Sequence, residues 1–440
     1  MYCTLKLKST KNEVGLMKEY IGNSNIHSFV TVAMNKPKEL NRLLEYIEKM
    51  ICPDLYQFEW IIVTNDLIST SSIPNVSIYE HAQGNISQLR NYGANFAKGE
   101  FITFIDVDMI FKQDFLEEII LKLKKVTNKT VLLHYIYAFN VEDTLLNRST
   151  FEKISPMNVG QFLKTYEDVW SDYRKDVFQL YKDDLSTLRA PWVYGWSGAF
   201  TCNNVEFMKV KGFDESFNGW GAEDTDLSYR LFLNNNTFII SEKSPVVHYP
   251  HASKSKNISK EYFNNRCKLF MKNPAMESEL YKYVTGINLN NVLDKLEVTV
   301  ICSMSPVYAH HDLSAIKSKM KSNNLFIGTD SLGILKQLLP QEILVWSDRF
   351  EQVVNDYLPM IKTSKYFGVS TDYKNNYFDC VFLFDAGISI IPTLKKRIFI
   401  EASRIGAEVY LIKDPFFNPL EEFKLETMEF LNDEIINIEI

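Results

Sequence analysis

The chain carries no cysteine pattern. Its six cysteines, Cys3, Cys52, Cys202, Cys267, Cys302 and Cys380, are scattered without paired spacing. That excludes a disulfide framework and a zinc ligand set as organising devices and points to reduced thiols. A basic surplus is also missing. The formal net charge is −7, which argues against a nucleic-acid partner. Lysine clusters at Lys122–Lys125 and Lys254–Lys256 read as solvated faces. No apolar run reaches the about 18 residues of a membrane helix. The first residues, MYCTLKLKSTKNEVGL, lack the apolar centre of a signal peptide. These absences lead us to expect a cytoplasmic protein, with room for a peripheral seat at the inner face of a membrane. What is present is apolar material: 46% hydrophobic and 13% aromatic residues in 440, enough for a large core and two or three domains.

The most informative stretch is FITFIDVDMIF, residues 101–111. A short run rich in Phe and Ile reads as a buried strand. Asp106 and Asp108 interrupt it, and an unpaired buried carboxylate is costly, so a cation is expected beside them. Two carboxylates two residues apart on an extended segment share a face. That suits a divalent metal held by oxygen ligands, Mn2+ or Mg2+, which can in turn hold phosphates. A solvated turn is the plain alternative for an isolated Asp-x-Asp.

From His27 the chain alternates strand and helix. FVTVAM (29–34), EWIIVTND (59–66) and VSIYEH (76–81) read as strands. Leu40, Leu43, Leu44 and Ile47 form a helical stripe, and a second helix is expected over 86–98. Such alternation predicts a parallel sheet with ligands beyond the carboxyl ends of its strands, where Asn65, Asp66, Asp106 and Asp108 fall. Residues 1–25 read as an N-terminal extension, 26–290 as the first α/β domain and about 145–190 as a helical insertion within it. A second alternation begins at EVTVIC (297–302) and continues through NLFIGTD, EILVWSD, CVFLFDAGISI and AEVYLIK. Residues 297–440 are therefore expected to form a smaller α/β, Rossmann-like accessory domain. It lacks a glycine-rich phosphate loop, so a docking role is expected, at a membrane face or in a biosynthetic assembly.

GWGAEDTD (219–226) is the second signal. Gly219 and Gly221 allow a tight bend that exposes Trp220. Glu223, Asp224 and Asp226 then open a helix, where one acid is explained by capping and the helix dipole. Three acids beside an aromatic plane suit a sugar, whose C–H face packs on the ring while its hydroxyls donate to carboxylates. His248 and His251 follow three residues apart and could complete a metal shell. His310 and His311 read as surface or turn residues.

NVSIYEHAQGNISQLRNYGANFAKGEFITFIDVDMIF resembles the nucleotide-sugar half of GT-A-fold glycosyltransferases, with Arg90, Asn91 and Gly93 as their Arg-Asn-x-Gly helix. GAFTCNNVEFMKVKGFDESFNGWGAEDTDLSYRL resembles the acceptor half of the inverting β-galactosyltransferases and of bacterial chondroitin-type capsule polymerases. The resemblance covers about residues 26–270. It implies a metal-dependent inverting hexosyl- or N-acetylhexosaminyltransferase in surface polysaccharide synthesis. The donor it implies is a nucleotide sugar, foremost one of uridine diphosphate, and the acceptor an oligosaccharide or glycolipid. It implies Asp108 as the stronger metal ligand, with Asp106 on metal or ribose, and His248 or His251 closing the shell. Asp224 would be the base, and Trp220, Gly221, Glu223 and Asp226 would hold the acceptor. Asn65, Asp66, Arg90, Trp196 and Gly198 would hold the donor. Retaining relatives carry Asn where this chain has Asp224, which implies inversion. A nucleotidyltransferase using the same aspartates and an inactive glycan-binding scaffold remain as alternatives.

Overall fold

The computed structural model describes residues 23–65, 73–139, 141–251, 258–303, 313–329, 331–412 and 421–422. The N-terminal extension before Asn23, Asp66, the Lys254–Lys256 cluster, His310 and His311 lie outside these residues. The strands of a first, eight-stranded sheet are β1 (Asn23–Ala33), β2 (Gln57–Thr64), β3 (Val76–Glu80), β4 (Gly99–Ile105), β5 (Met109–Phe111), β6 (Thr130–Tyr137), β7 (Ala199–Asn203) and β8 (Thr237–His248). They lie in the order β3-β2-β1-β4-β7-β6-β8-β5. The first four are mutually parallel, and β7 runs antiparallel to both β4 and β6. This is the mixed α/β sheet expected for a nucleotide-sugar transferase fold.

Local chemistry explains the parallel half. Phe29 on β1 stacks on Trp60 of β2, with ring centroids 4.3 Å apart. The helix Pro37–Glu48 covers that face with Leu40, Leu43, Tyr46 and Ile47. The opposite face receives the helix Ile86–Ala94. Its N-terminus is closed by a capping box: the Asn85 side chain accepts from Gln88 N–H while the Gln88 side chain accepts from Asn85 N–H. Gly93 sits where any side chain would collide, since a Cβ would lie 2.7 Å from Val30 Cγ1. The glycine thus lets the helix lie close on β1 and β2.

The single strand expected over 101–111 is two strands. β4 ends at Ile105 in the centre of the sheet, and β5 pairs antiparallel with β8 at its edge. The turn between them is Asp106-Val107-Asp108, held by Asp106 N–H on Gly198 O and Met109 N–H on Asp106 O, each at 3.1 Å. The expected insertion contains the helices Leu145–Phe151, Val159–Tyr166 and Lys175–Leu180.

The segment expected as a strand at 297–302 is instead part of the helix Gly286–Ser303. Its β-branched residues suggested a strand, but Leu289, Val292, Leu293 and Leu296 make a buried helical stripe that carries the helix onward. A second sheet follows, built from β9 (Asn324–Ile327), β10 (Glu342–Leu344), β11 (Lys362–Ser364), β12 (Phe378–Phe384), β13 (Gly406–Ile412) and β14 (Glu421–Glu422). Its order is β11-β10-β9-β12-β13-β14, parallel except for β14. The chain reverses its winding between β9 and β12, the place where such sheets bind ligands. There the backbones after the two strands approach closely: a Cβ on Gly387 would lie 2.0 Å from Gly328 O.

Buried polar bonds join the two sheets. The Glu279 carboxylate accepts from four successive backbone N–H groups, Phe367 (2.6 Å), Gly368 (3.0 Å), Val369 (2.6 Å) and Ser370 (2.7 Å). Arg189 pairs with Glu277, Glu297 and Asp348. One apolar cluster runs from Val30 in the first sheet to Ile412 in the second. Among the described residues, no helix is long and apolar enough to cross a membrane.

Candidate active site

A cleft of about 720 Å³ opens at the carboxyl ends of β1 and β4. Lys36, Arg90, Asp106, Trp196, Gly198, Trp220, Gly221, Glu223, Asp224 and His251 all line it. Both sequence signals therefore meet in one place, although more than a hundred residues separate them.

The two aspartates part company there. Asp108 is buried, with its Oδ2 2.7 Å from Lys36 Nζ and 3.0 Å from His251 Nε2. Burial would raise its carboxyl, but the His251 hydrogen bond and the charges of His248 and Lys36 outweigh that and hold it well below the usual carboxylate range. His248, at the end of β8, lies opposite Met109 in the β5 pairing. Burial lowers its imidazole. Its Nδ1 is buried and has no hydrogen-bond partner. Ligand atoms of Asp108, His248 and His251 all fall within 4.8 Å of one another. One carboxylate and two imidazoles, one of them with an orphaned ring nitrogen, fit a divalent cation.

Asp106 does not share that face. It is half-exposed, and its Oδ1 accepts from Arg90 Nη2 at 2.9 Å. The turn after Ile105 removes the extended geometry that would have aligned the pair. Arg90 is buried and spends its other arm on Glu223, with Nη1–Oε1 at 3.0 Å. One guanidinium thus ties the first motif to the second. Asn91 adds a tie of its own, accepting from Phe213 N–H and donating to Phe213 O.

In the second motif Gly219 and Gly221 adopt φ of +77° and +84°, and Ala222 follows at +67°. The bend leaves Trp220 45% exposed at the cleft. The helix Ile258–Lys272 holds it in place. Glu261 accepts from Trp220 N–H at 2.9 Å, and Asn265 donates to Asn218 O at 3.0 Å and Gly221 O at 2.8 Å. Asp224 opens the helix Glu223–Leu233. Its Oδ1 accepts from Thr225 N–H at 2.7 Å and its Oδ2 from Ser197 N–H at 3.1 Å. Burial and the charge of Asp224 push Glu223 up to about 7, against the pull of Arg90. Asp226, expected at the acceptor, turns away. It is fully buried, and its Oδ2 accepts from Arg230 Nε at 2.8 Å. Two residues along a helix rotate it by about 200° from Asp224, onto the opposite face.

Of the residues expected at the donor, Trp196 stacks under the Arg174 guanidinium at 4.1 Å. Gly198 brings its backbone beside Asp106. Asn65 pairs with Asn35, accepting from its N–H at 2.9 Å and donating to its side chain at 3.1 Å. Sequence reasoning missed Lys36, Glu261 and Asn265. Their partners are remote in sequence and no motif marks them.

Residues 60–264 match the family described as glycosyltransferase like family 2. Among curated relatives, the validoxylamine A glucosyltransferase of Streptomyces hygroscopicus subsp. jinggangensis (strain 5008) is 26% identical over 205 residues, 46% of this chain and 48% of that protein. The chondroitin synthase of Pasteurella multocida (strain Pm70) is 28% identical over 185 residues, 39% of this chain and 18% of that one. The chain thus spans about half the length of the glucosyltransferase and less of the synthase. Staphylococcus aureus TarS 1–349 in complex with UDP-GlcNAc is a looser likeness that carries no weight below, at 17% identity and a TM-score of 0.40 over 56% of this chain and 66% of that one.

Proposed function

We propose that this protein is a divalent-metal-dependent, inverting glycosyltransferase that moves a sugar from a uridine-diphosphate sugar to a saccharide acceptor in surface polysaccharide synthesis. The observation that carries this reading is a single cleft. It is lined by Trp220, Asp224 and His251, and the ligand atoms of Asp108 and His248 lie within 4.8 Å of that of His251. Asp108, His248 and His251 would hold the cation. When bound, it would offset the charge gathering on the departing nucleoside diphosphate.

The remaining roles fall to side chains. Trp220 offers its exposed face to the apolar side of the acceptor sugar. Glu223 accepts from an acceptor hydroxyl. Asp224, aimed by the N–H groups of Ser197 and Thr225, keeps lone pairs to take the attacking hydroxyl's proton. Arg90 keeps Asp106 and Glu223 in fixed relation. A single attack from the Asp224 side displaces the diphosphate in line and inverts the anomeric carbon. Residues 26–290 are proposed as the catalytic unit and 297–440 as an accessory one, working on the cytoplasmic side.

The test is a screen of uridine-diphosphate sugars with the full chain and a set of oligosaccharides, in Mn2+ or chelator. Release of uridine diphosphate with Mn2+, its loss in chelator and in Asp108→Asn, and a β-linked product from an α-linked donor by NMR are expected. Release of pyrophosphate from a parallel mixture of uridine triphosphate and a sugar 1-phosphate, with no uridine diphosphate released from the nucleotide sugars, would make the protein a nucleotidyltransferase. A product that retains configuration would remove Asp224 from the role of base.

A further inference from the structure

Lys36 lies outside both motifs, yet it touches the proposed metal group. Its backbone follows β1 and is anchored by the Asn35–Asn65 pairing described above, with Asn35 at φ +54°. Its side chain is 28% exposed and reaches into the cleft, where Nζ lies 2.7 Å from Asp108 Oδ2. That oxygen is also the one that meets His251. A carboxylate oxygen that accepts from an ammonium and an imidazole has little left to offer a dication, and two cations a few ångströms apart repel. A lysine ammonium is a compact charge on a flexible four-carbon stem, so it can leave one oxyanion for another within the same cleft.

We propose that Lys36 is an exchangeable internal counter-cation, holding Asp108 until a divalent metal takes that carboxylate and then pairing with the diphosphate of the nucleotide-sugar donor. This rests on the metal reading above. It explains why a carboxylate as buried as Asp108 can stand charged before a metal arrives. It also makes metal and donor binding cooperative. Lys36 opposes the metal when no diphosphate is present and favours the diphosphate once displaced, so each ligand raises the affinity for the other.

The test measures Mn2+ binding to the full chain from the loss of free Mn2+ signal in electron paramagnetic resonance, with and without UDP. Wild type should bind Mn2+ weakly alone and roughly 5-fold or more tightly with UDP. Lys36→Met should bind Mn2+ alone more tightly than wild type by a similar factor. UDP should sharpen that binding less, and UDP affinity in saturating Mn2+ should fall. Asp108→Asn should abolish Mn2+ binding in either background. If Lys36→Met does not fold, Lys36→Gln carries the same expectation, because it keeps a hydrogen bond to Asp108 without the charge. Unchanged or weaker Mn2+ binding in a folded Lys36 variant overturns the exchange alone, and unchanged UDP affinity overturns the move to the diphosphate. Wild type that binds no Mn2+ with or without UDP overturns the metal reading and this inference together.

Discussion

Replacing Asp224 by asparagine isolates the proposed chemical step, and the structure sets its size. By shape the two side chains nearly coincide, but their hydrogen-bonding faces differ. Both carboxylate oxygens accept a backbone N–H, Oδ1 from Thr225 and Oδ2 from Ser197. A carboxamide has one accepting end. Whichever way it turns, its NH2 meets an N–H of a buried residue, since Ser197 and Thr225 are 3% and 2% exposed. Leaving one such donor unmet costs about 1–3 kcal/mol of stability. Loss of a general base costs about 10²- to 10⁴-fold in turnover, or about 3–5 kcal/mol in the barrier. Asp224 touches neither the proposed metal ligands nor Lys36, so UDP and Mn2+ affinities should not move. The assay pairs kcat for transfer with calorimetric binding of UDP and a urea unfolding curve. A folded Asp224→Asn variant whose kcat stays within about threefold of wild type would refute the reasoning, and another group would have to take the proton.

Three other outcomes are expected. Glu279→Ala leaves four N–H groups without their carboxylate and should destabilise the protein by about 3–5 kcal/mol in urea unfolding; a loss below about 1 kcal/mol would mean that water replaces the carboxylate. Asn265→Ala releases the carbonyls of Asn218 and Gly221 and should raise the acceptor KM with little change in kcat or UDP affinity, as lost uniform binding does; an equal fall in kcat would place the Trp220 bend in the chemical step. Glu223 is raised from 4.5 to about 7 by burial and by Asp224. Between those values the folded protein keeps a proton that the unfolded chain has released, so stability falls as pH rises across that window, by up to about 3 kcal/mol. Urea curves for wild type and Glu223→Gln should diverge in slope there, and parallel curves would show that Glu223 titrates as in the unfolded chain.

The parallel half of the first sheet was legible because its apolar runs and helical stripes are local. So was the helix Ile86–Ala94, expected over 86–98, although it ends at Ala94. The break between β4 and β5 was not. Phe101 to Phe111 is apolar throughout except at the aspartates, and only pairing with β1 and with the remote β8 shows that the two halves separate. The helix through 297–303 was misread because β-branched residues mask a stripe that begins earlier, at Leu289. At the site, residue type and spacing singled out Asp108, His248 and His251, whose ligand atoms lie within 4.8 Å of one another, and Trp220 and Asp224, which line one cleft. Asp226 was misplaced because acids crowded at a helix start look alike until rotation about the axis is counted. Lys36 could not be found, since its meaning lies entirely in a contact with a residue 72 positions away.

The helix Met276–Tyr281 carries Glu279 toward the second sheet, and its last residue toward the first. Tyr281 donates to Thr225 Oγ1 at 3.3 Å and shares a 2.9 Å hydroxyl contact with Tyr262, which stands beside Trp220. Thr225 adjoins the proposed base. The proposed accessory unit would therefore meet the proposed acceptor side through this helix, as a tuning peg. A lesion at the loop 367–370, far from any reacting atom, should detune Asp224 and Trp220 together while leaving the Asp108 cluster in pitch.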